Sequence, residues 1–437
     1  MNKKSIFKNK FYTHLDIKKK YENYLNCISN PKWIESHGFY PFIHYKIVFE
    51  KYTLNKETGK NFIKNKERDI FYSSHIDRFI YQYYGDKLND LYNKISIETG
   101  IGKVATAYRN NLFGKCNIHF SREALEFIVK SRKAFIFVGD FTSFFDNLDH
   151  KYLKEKLKQV LKTDRLNNDY FAVFKNITKF TYVEREDIEK VKGKKNKELR
   201  KEVKYFNTRE LREFKKEYIK RNNNYGIPQG SSISSVFSNI YMIEFDKRLN
   251  DYVTSNRGMY RRYCDDLIII IPMEENQIDQ QIYAKHIKKI DQIRGCIPRL
   301  TLNLDKTEQF YYNKDSDKKL VNLKDDKHIL DYLGFSFDGE FVRIREKSIF
   351  KYYCRAYKKV RSYKNNKGQI NEHAIKKSLF RLYTHLGDKK YNTKEYGNFL
   401  TYARKSEEIF CQSKYLHSKI NSQVKRHWNK INKKLNE

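Results

Sequence analysis

Apolar positions along this chain change their period several times, and each change marks an element. From His75, the residues Ile76, Phe79, Ile80, Tyr83, Leu88, Leu91, Tyr92 and Ile95 recur near helical spacing and predict a helix that Gly100 to Gly102 ends. A second helix is expected from Ser121, as its N-cap, to Ser131. Phe135-Ile136-Phe137-Val138-Gly139 then reads as a buried strand ending on Asp140, and Leu153, Leu157, Val160 and Leu161 predict the helix after it. Between about Val183 and Asn224 apolar positions thin out among Lys, Arg and Glu, so an exposed helical insertion is expected there. A Gly-Pro loop from Gly226 to Gly230 leads into a helix through Phe245 and Leu249.

Tyr260 to Ile271 is the stretch around which the chain is organised. Asp265 and Asp266 separate a short mixed run from the continuous Leu267-Ile268-Ile269-Ile270-Ile271, with Gly258 and Pro272 as breaks, so a β-hairpin with two acids at its tip is expected. A helix follows from about Gln277 to Arg294, then the strand Phe310-Tyr311-Tyr312. His328 to Phe337 and Phe341 to Ile344 suggest a hairpin turned at Asp338-Gly339. Near the C-terminus, Leu416, Ile420, Val424, Trp428, Ile431 and Leu435 form one apolar helical stripe opposite Lys and Arg. Residues 1 to about 60 have no clear period and are expected to be a weakly helical extension.

Composition changes the picture mainly through charge. In 437 residues, 89 Lys and Arg face 53 Asp and Glu, a net charge of +36. A bias toward Lys, Asn, Ile and Tyr codons would raise Glu as well, so it does not explain the imbalance. A polyanion is the expected partner, nucleic acid first and an anionic membrane surface second. Aromatic residues make up 16% of the chain; most must be core, although Tyr can also stack on bases. The six cysteines are scattered, without a Cys-x-x-Cys pair, and no His-Glu-x-x-His occurs, so free thiols in a reducing compartment are expected, without structural zinc. The N-terminus lacks a signal peptide's apolar run, and Leu267 to Ile271 is too short to span a bilayer; the expectation is a cytoplasmic protein with no membrane partner.

Taken singly, the polar features stay ambiguous. Asp265-Asp266 reads as a polar turn or as a carboxylate pair whose repulsion a divalent cation relieves. Asp140 caps a turn or lines a cleft at a strand end. The small residues of Gly226-Ile227-Pro228-Gln229-Gly230-Ser231-Ser232 permit close helix packing or let a phosphate or base pair approach free N–H groups.

In this order the three signals resemble the reverse transcriptase family. Asp140 matches the acid of the first palm motif, Gly226 to Gly230 the second, and Tyr263-Cys264-Asp265-Asp266 the third. Tyr332-Leu333-Gly334-Phe335 is similar to the primer-grip hairpin, and Lys306 sits at the fourth motif. The Phe-Phe-Asp-x-x-x-His run of 144 to 150, with Asp77-Arg78 and Tyr108-Arg109, most resembles the bacterial branch of group II intron-like, retron and phage-defence enzymes. The resemblance covers roughly residues 65 to 345 and implies an α+β right-hand polymerase with fingers, a split βαβ palm and a helical basic thumb. The expected divisions are an N-terminal extension at 1–60, fingers at 61–134, a palm at 135–345 with the charged insertion at about 183–224, and a helical thumb and C-terminal region at 346–437.

The resemblance also implies a chemistry. Nucleotidyl transfer builds charge on the attacking and leaving oxygens, and two Mg²⁺ ions about 4 Å apart, with Mn²⁺ as a substitute, clamp both. Asp140 and Asp265 would be shared metal ligands, the Phe141 carbonyl a third, and Asp266 a supporting carboxylate. Phe145, five residues after Asp140, would exclude a 2′-hydroxyl and select deoxynucleotides; plain core packing is the rival reading. Gln229 and Gly230 would contact the incoming nucleotide, with Lys103 and Arg109 near its triphosphate. Tyr263, Cys264, Tyr332, Leu333, Gly334, Arg78 and Lys306 would face primer and template. Cys264 stands where the family often has Ala, Val or Met. The implied partners are an RNA template, expected to be a dedicated non-coding RNA, a DNA product and deoxynucleoside triphosphates, with a second copy or an accessory protein. No endonuclease, RNase H, protease or integrase motif accompanies these, so a stand-alone defence enzyme is expected. The alternatives are a template-independent or protein-primed DNA polymerase and a non-catalytic nucleic-acid-binding module.

Overall fold

The computed structural model describes residues 9–54, 61–274, 280–390 and 397–437, without the side chains of 51–64 and 280. It is a mixed α+β fold that divides into two compact units. The first comprises 1–111, 141–247 and 292–301; the second comprises 112–140, 248–291 and 302–437. Both units are thus discontinuous in sequence, and one of the boundaries falls between Asp140 and Phe141.

In the second unit, five antiparallel strands form the sheet that carries the acids. Met259–Tyr263, Asp266–Pro272, Lys133–Asp140, Glu308–Asn313 and Leu320–Asn322 lie side by side in that order. The first four of these have the strand order of a split βαβ unit, in which the strand that comes first in sequence sits inside the sheet. Both faces of that strand are covered. Ala134 and Ile136 join Ile268 and Ile270 in a core with Ile118, Leu125 and Ile128 of the helix Asn117–Lys130. Phe135, on the opposite face, stacks on Tyr283 (5.5 Å) and His286 (5.7 Å) of the helix Gln280–Gly295. Burial on both sides explains why these strands read as unbroken apolar runs rather than alternating ones. Residues 277–279 of the expected helix lie outside the described residues.

Several expectations need correction in this unit. The helix expected from Ser121 starts at Asn117, and Ser121 is fully buried inside it, so it caps nothing. The region around 330–344 is a three-stranded meander, turned at Leu333-Gly334 as well as at Asp338-Gly339. The C-terminal stripe does not form one helix: it divides into the strand His417–Ser418 and the helices Ile420–Val424 and His427–Asn436. Leu416, Ile420 and Val424 pack into the core under the sheet, whereas Ile431 joins a separate cluster with Ala356, Val360 and Leu379.

In the first unit the main correction is a long antiparallel hairpin, Phe42–Leu54 with Asn61–Tyr72, where only an extension was expected. Phe42 to His44 are buried, but Val48 and Phe49 are exposed, so neither a helical nor an alternating period develops. Thr181–Glu184 pairs parallel with the start of this hairpin. The charged insertion is helical, as expected, at Arg185–Lys192, Asn196–Leu199 and Thr208–Tyr218. It is more than a solvated face, because Ile188, Leu199, Phe206 and Phe214 share a core with Leu15 and Ile43. Asp16 fixes the N-terminal segment by accepting hydrogen bonds from the His75 N–H (3.0 Å) and Ile76 N–H (3.3 Å), at the start of the helix His75–Glu98. The six cysteines are free thiols. Among the described residues no helix is long and apolar enough to cross a membrane.

His14 gives the fold an acid-sensitive component. Burial pushes its imidazole from the ordinary 6.5 down to about 4, against the pull of Asp16 and the Tyr72 carbonyl. The folded chain therefore takes up this proton only near pH 4, whereas the unfolded chain does so near 6.5. Stability is complete above the unfolded value and falls as pH drops between the two. At pH 5 the loss is roughly 2 kcal/mol. The urea midpoint should be lower at pH 5 than at pH 7.5, and His14→Gln should reduce the difference; equal midpoints for the wild type would refute the assignment.

Candidate active site

The acid site grows out of strand register. Asp140, the last residue of its strand, lies directly opposite Asp266, the first residue of the neighbouring antiparallel strand. Opposed residues of such a pair have Cα atoms about 4.5–5.5 Å apart and side chains on the same face. Two carboxylates 126 positions apart in sequence are thereby forced together. Asp265 occupies the two-residue turn beside them.

The turn itself is strained. Tyr263 pairs with Asp266, leaving Cys264 and Asp265 as the connection, and Cys264 has a φ of +62°. A non-glycine residue adopts this backbone only where its surroundings hold it. Arg262 supplies part of that hold: it is fully buried, and its guanidinium donates to the Cys264 carbonyl at 2.8 Å. The sequence reading missed Arg262, although a basic residue inside a strand otherwise built from buried positions is a visible anomaly.

The charges are unequally solvated. Asp140 is buried, whereas the surface of Asp266 is open. The protein packed around Asp266 nonetheless pushes its carboxyl up to about 6; the Asp265 charge adds to the shift and Arg345 opposes it. Asp140 Oδ2 pairs with the Lys306 ammonium, while Oδ1 is buried and has no hydrogen-bond partner among the described residues. The Asn303 N–H donates to the Asp140 carbonyl at 2.7 Å and brings the Lys306 turn alongside.

These residues fit a divalent cation. Mg²⁺ takes one or two carboxylates and fills its other positions with water and phosphate oxygens. An orphaned anionic oxygen opposite a second carboxylate provides that partial set. Among the described residues no three His, Cys, Asp or Glu side chains cluster to enclose a metal.

Beside the acids is a cavity of about 310 Å³, lined by Asp266, Tyr263, Tyr332, Leu333, Gly334 and Arg345 among others. Leu333 and Gly334 have φ of +47° and +93°, the backbone of a tight hairpin turn. Asn117 holds this turn by donating to the Leu333 carbonyl at 2.9 Å. Arg345 is ion-paired with Asp331 at 3.2 Å. Tyr332 is fully buried behind the turn, and burial raises its phenol far above the ordinary range. Tyr263, Asp266, Tyr332, Leu333 and Gly334, expected together from sequence, thus line one space. Asn117 and Arg345 were not foreseen, and neither carries a local signal.

The remaining expected residues belong to the first unit. Phe141 is buried against Phe144 and Phe245, at ring distances of 5.8 and 5.7 Å. Phe144 is core, while Phe145 is half-buried, so of the two neighbouring rings Phe145 is the one a ligand can reach. The 144–150 run and the Gly226 loop are stitched together. Ile227 N–H donates to Phe145 O (2.9 Å), Gly226 N–H to Leu148 O (2.9 Å), and His150 Nε2 bonds Gly226 O (2.7 Å). Gly226, at φ +80°, could not carry a Cβ, which would lie 2.5 Å from the Asp146 carbonyl oxygen. Gln229 reaches Asp146 at 3.4 Å, and its carbonyl accepts from the Phe71 N–H. Gly230, at φ +119°, is exposed.

Arg109 is buried, and its guanidinium bonds Asn93, Asn111 (3.2 Å) and the Gly102 (3.3 Å) and Ala105 (3.2 Å) carbonyls. In this structure it braces its own loop rather than standing ready for a triphosphate. Lys103 is exposed. Arg78 is half-buried and lines a different cavity with Tyr12.

A strand-end acid paired in register with a two-acid hairpin defines a carboxylate site of the kind used in phosphoryl chemistry. The family model for reverse transcriptase (RNA-dependent DNA polymerase) matches residues 106–337, more than half of the chain. The chain belongs to this family. No curated protein matches it in sequence. Among solved structures it is similar to apo telomerase from Candida tropicalis, at 12% identity and a TM-score of 0.43, over 90% of this chain and 58% of that one. It is also similar to telomerase from Candida albicans in complex with a TWJ fragment of telomeric RNA. There the identity is 13% and the TM-score 0.41, over 95% of this chain and 65% of that one. The chain thus spans less than two thirds of the length of either relative, and both are distant in sequence and superposition.

Lys306→Ala removes the ammonium from Asp140. Because the lysine is half exposed, the loss of stability without metal should be only about 1 kcal/mol. Excess Mg²⁺ should raise the Tm of this variant more than that of the wild type, because the carboxylate is no longer occupied. Equal Mg²⁺ shifts would show that Asp140 does not meet the ion.

Proposed function

We propose that the chain is an RNA-directed DNA polymerase that extends a primer 3′-hydroxyl by nucleotidyl transfer. The observation carrying this reading is the register that sets Asp140 opposite Asp266 at the tip of the Asp265-Asp266 hairpin. Asp140, Asp265 and the Phe141 carbonyl would hold two Mg²⁺ ions, with Asp266 in support. Those ions would supply charge neutralisation at the attacking and leaving oxygens. The chain's own groups provide position. Tyr332, Leu333 and Gly334, with Asn117 behind their turn, would seat the primer strand. Phe145 would close the space that a 2′-hydroxyl needs. Gln229 and Gly230, on a loop anchored to the 144–150 run, would face the incoming nucleotide.

Residues 61–134 would be the fingers, 135–345 the palm with the charged insertion at about 183–224, and the basic helices after Glu346 the thumb. The 144–150 run, Asp77-Arg78 and Tyr108-Arg109 support a place in the bacterial branch. The net charge of +36 supports a nucleic-acid partner. We infer a role in anti-phage defence with a dedicated non-coding RNA as template.

Purified protein, incubated with Mg²⁺ and labelled deoxynucleotides before and after RNase treatment, tests this directly. Synthesis that RNase abolishes supports templated polymerisation; synthesis that survives it supports template-independent or protein-primed activity; no synthesis leaves a binding module. Sequencing the co-purified RNA tests the dedicated template.

Asp265→Asn should reduce synthesis at least a thousandfold, with Tm and RNA binding close to wild type; retained synthesis would remove Asp265 from the mechanism. Phe145→Ala should raise ribonucleotide incorporation at least tenfold relative to deoxynucleotide. Unchanged sugar selection would make the ring purely structural.

A further inference from the structure

The first unit contains a cavity of about 500 Å³. Its walls come from the N-terminal segment around Tyr12, the start of the helix His75–Glu98, the charged insertion, Tyr45 and the Gly230-Ser231-Ser232 turn. They are firmly tied. Tyr12 donates to the Ser73 carbonyl at 2.8 Å and stacks on His75 at 4.5 Å. Thr13 donates to the Glu202 carbonyl at 2.9 Å, and the Tyr205 N–H donates to the His14 carbonyl at 2.9 Å. The N-terminal segment thus straps the insertion to the helix, and the cavity is the space they enclose.

The lining is chemically one-sided. Lys10, Arg78, Arg185 and Arg200 contribute to it, and among the described residues no carboxylate side chain does. The Arg185 guanidinium is 4.6 Å from the centre of the Tyr45 ring, which also lines the space, so a flat aromatic face adjoins the cations. Arg185 is partly balanced by Glu189 at 3.5 Å; Arg200 is exposed. The far wall is the N-terminus of the ten-residue helix Ser232–Tyr241. Its N-cap residue, Ser231, makes no capping bond, and the Oγ atoms of Ser231 and Ser232 are both buried without a hydrogen-bond partner among the described residues. Helix N–H groups, serine hydroxyls and guanidinium groups give the lining a donor-rich set, beside the Asn196 amide and the tyrosine hydroxyls. An oxyanion satisfies it, and the volume accommodates a nucleotide-sized ligand.

We propose that this cavity binds the phosphate of a nucleotide, either free or at the 5′ end of a strand. The N-terminal segment and the insertion gain a role by forming it. Gly230 and Arg78 belong also to the expected nucleotide and template contacts, whereas Arg185 and Arg200 are particular to this cavity.

The test is binding by the full-length chain in EDTA. Its probes are a single-stranded RNA carrying a 5′-phosphate, its 5′-hydroxyl twin, and a free nucleoside triphosphate. The wild type should bind the phosphorylated strand at least fivefold tighter than its twin, or bind the free nucleotide. Arg185→Ala with Arg200→Ala should weaken that binding at least tenfold, whereas Lys94→Ala with Lys175→Ala, which removes the same charge at exposed positions elsewhere, should not. Arg200→Gln alone, at an exposed side chain that leaves the fold intact, should show part of the loss. Loss confined to the free nucleotide or to the strand supports the site and identifies its source. The proposal is overturned if the wild type neither binds free nucleotide nor distinguishes the twins, or if the double variant at 185 and 200 behaves like wild type. It is equally overturned if the control pair loses as much.

Discussion

Everything in the acid site follows from two like charges held face to face. Asp140 and Asp266 are opposed by the register of two strands whose apolar residues, Leu267–Ile271 among them, are buried on both faces of the sheet. Hydrophobic burial thus overrides electrostatic repulsion and stores it at the strand ends. The fold answers that repulsion in two ways. Lys306 pairs with one oxygen of Asp140, and Arg345 lends a positive charge near Asp266, whose carboxyl burial and the Asp265 charge push up to about 6. A cation arriving with substrate would complete the compensation, and the orphaned Asp140 Oδ1 shows where the fold leaves it incomplete.

The same logic of local strain held by distant packing recurs in the first unit. Gly226 can adopt its left-handed backbone against Asp146 only because it has no Cβ, and four hydrogen-bonded contacts then bind its loop to the 144–150 run. Phe145 is held half-buried by that stitching, its carbonyl engaged and its ring partly open. At the N-terminus, Asp16 caps the helix His75–Glu98 from a segment some sixty residues earlier, so the strap and the helix form one structural piece. This is why the insertion can enclose a donor-rich space although most of its surface is charged.

The acid strand and the Asp-Asp hairpin were legible because strands buried on both faces must be continuously apolar, and nothing else in a chain this polar looks alike. The turn at Asp338-Gly339 was legible through its Asp-Gly pair. The hairpin Phe42–Leu54 with Asn61–Tyr72 was not, since its described apolar residues follow no face: Phe42 and Ile43 are buried, Val48 and Phe49 exposed. The C-terminal stripe misled for the opposite reason. Its residues do keep helical spacing, but they are drawn into two separate cores, and the helix breaks between them.

By itself, the sequence determined which residue types could do the chemistry and which strands must be buried, because both are properties of short windows. Whether Asp140 meets Asp266, whether Arg109 is spent on its own loop, and that Arg262 and Asn117 brace the two turns were decided only by the tertiary structure. Those facts depend on register and on contacts between segments up to two hundred residues apart. Local periodicity cannot encode such contacts; the packing that minimises exposed apolar surface selects them.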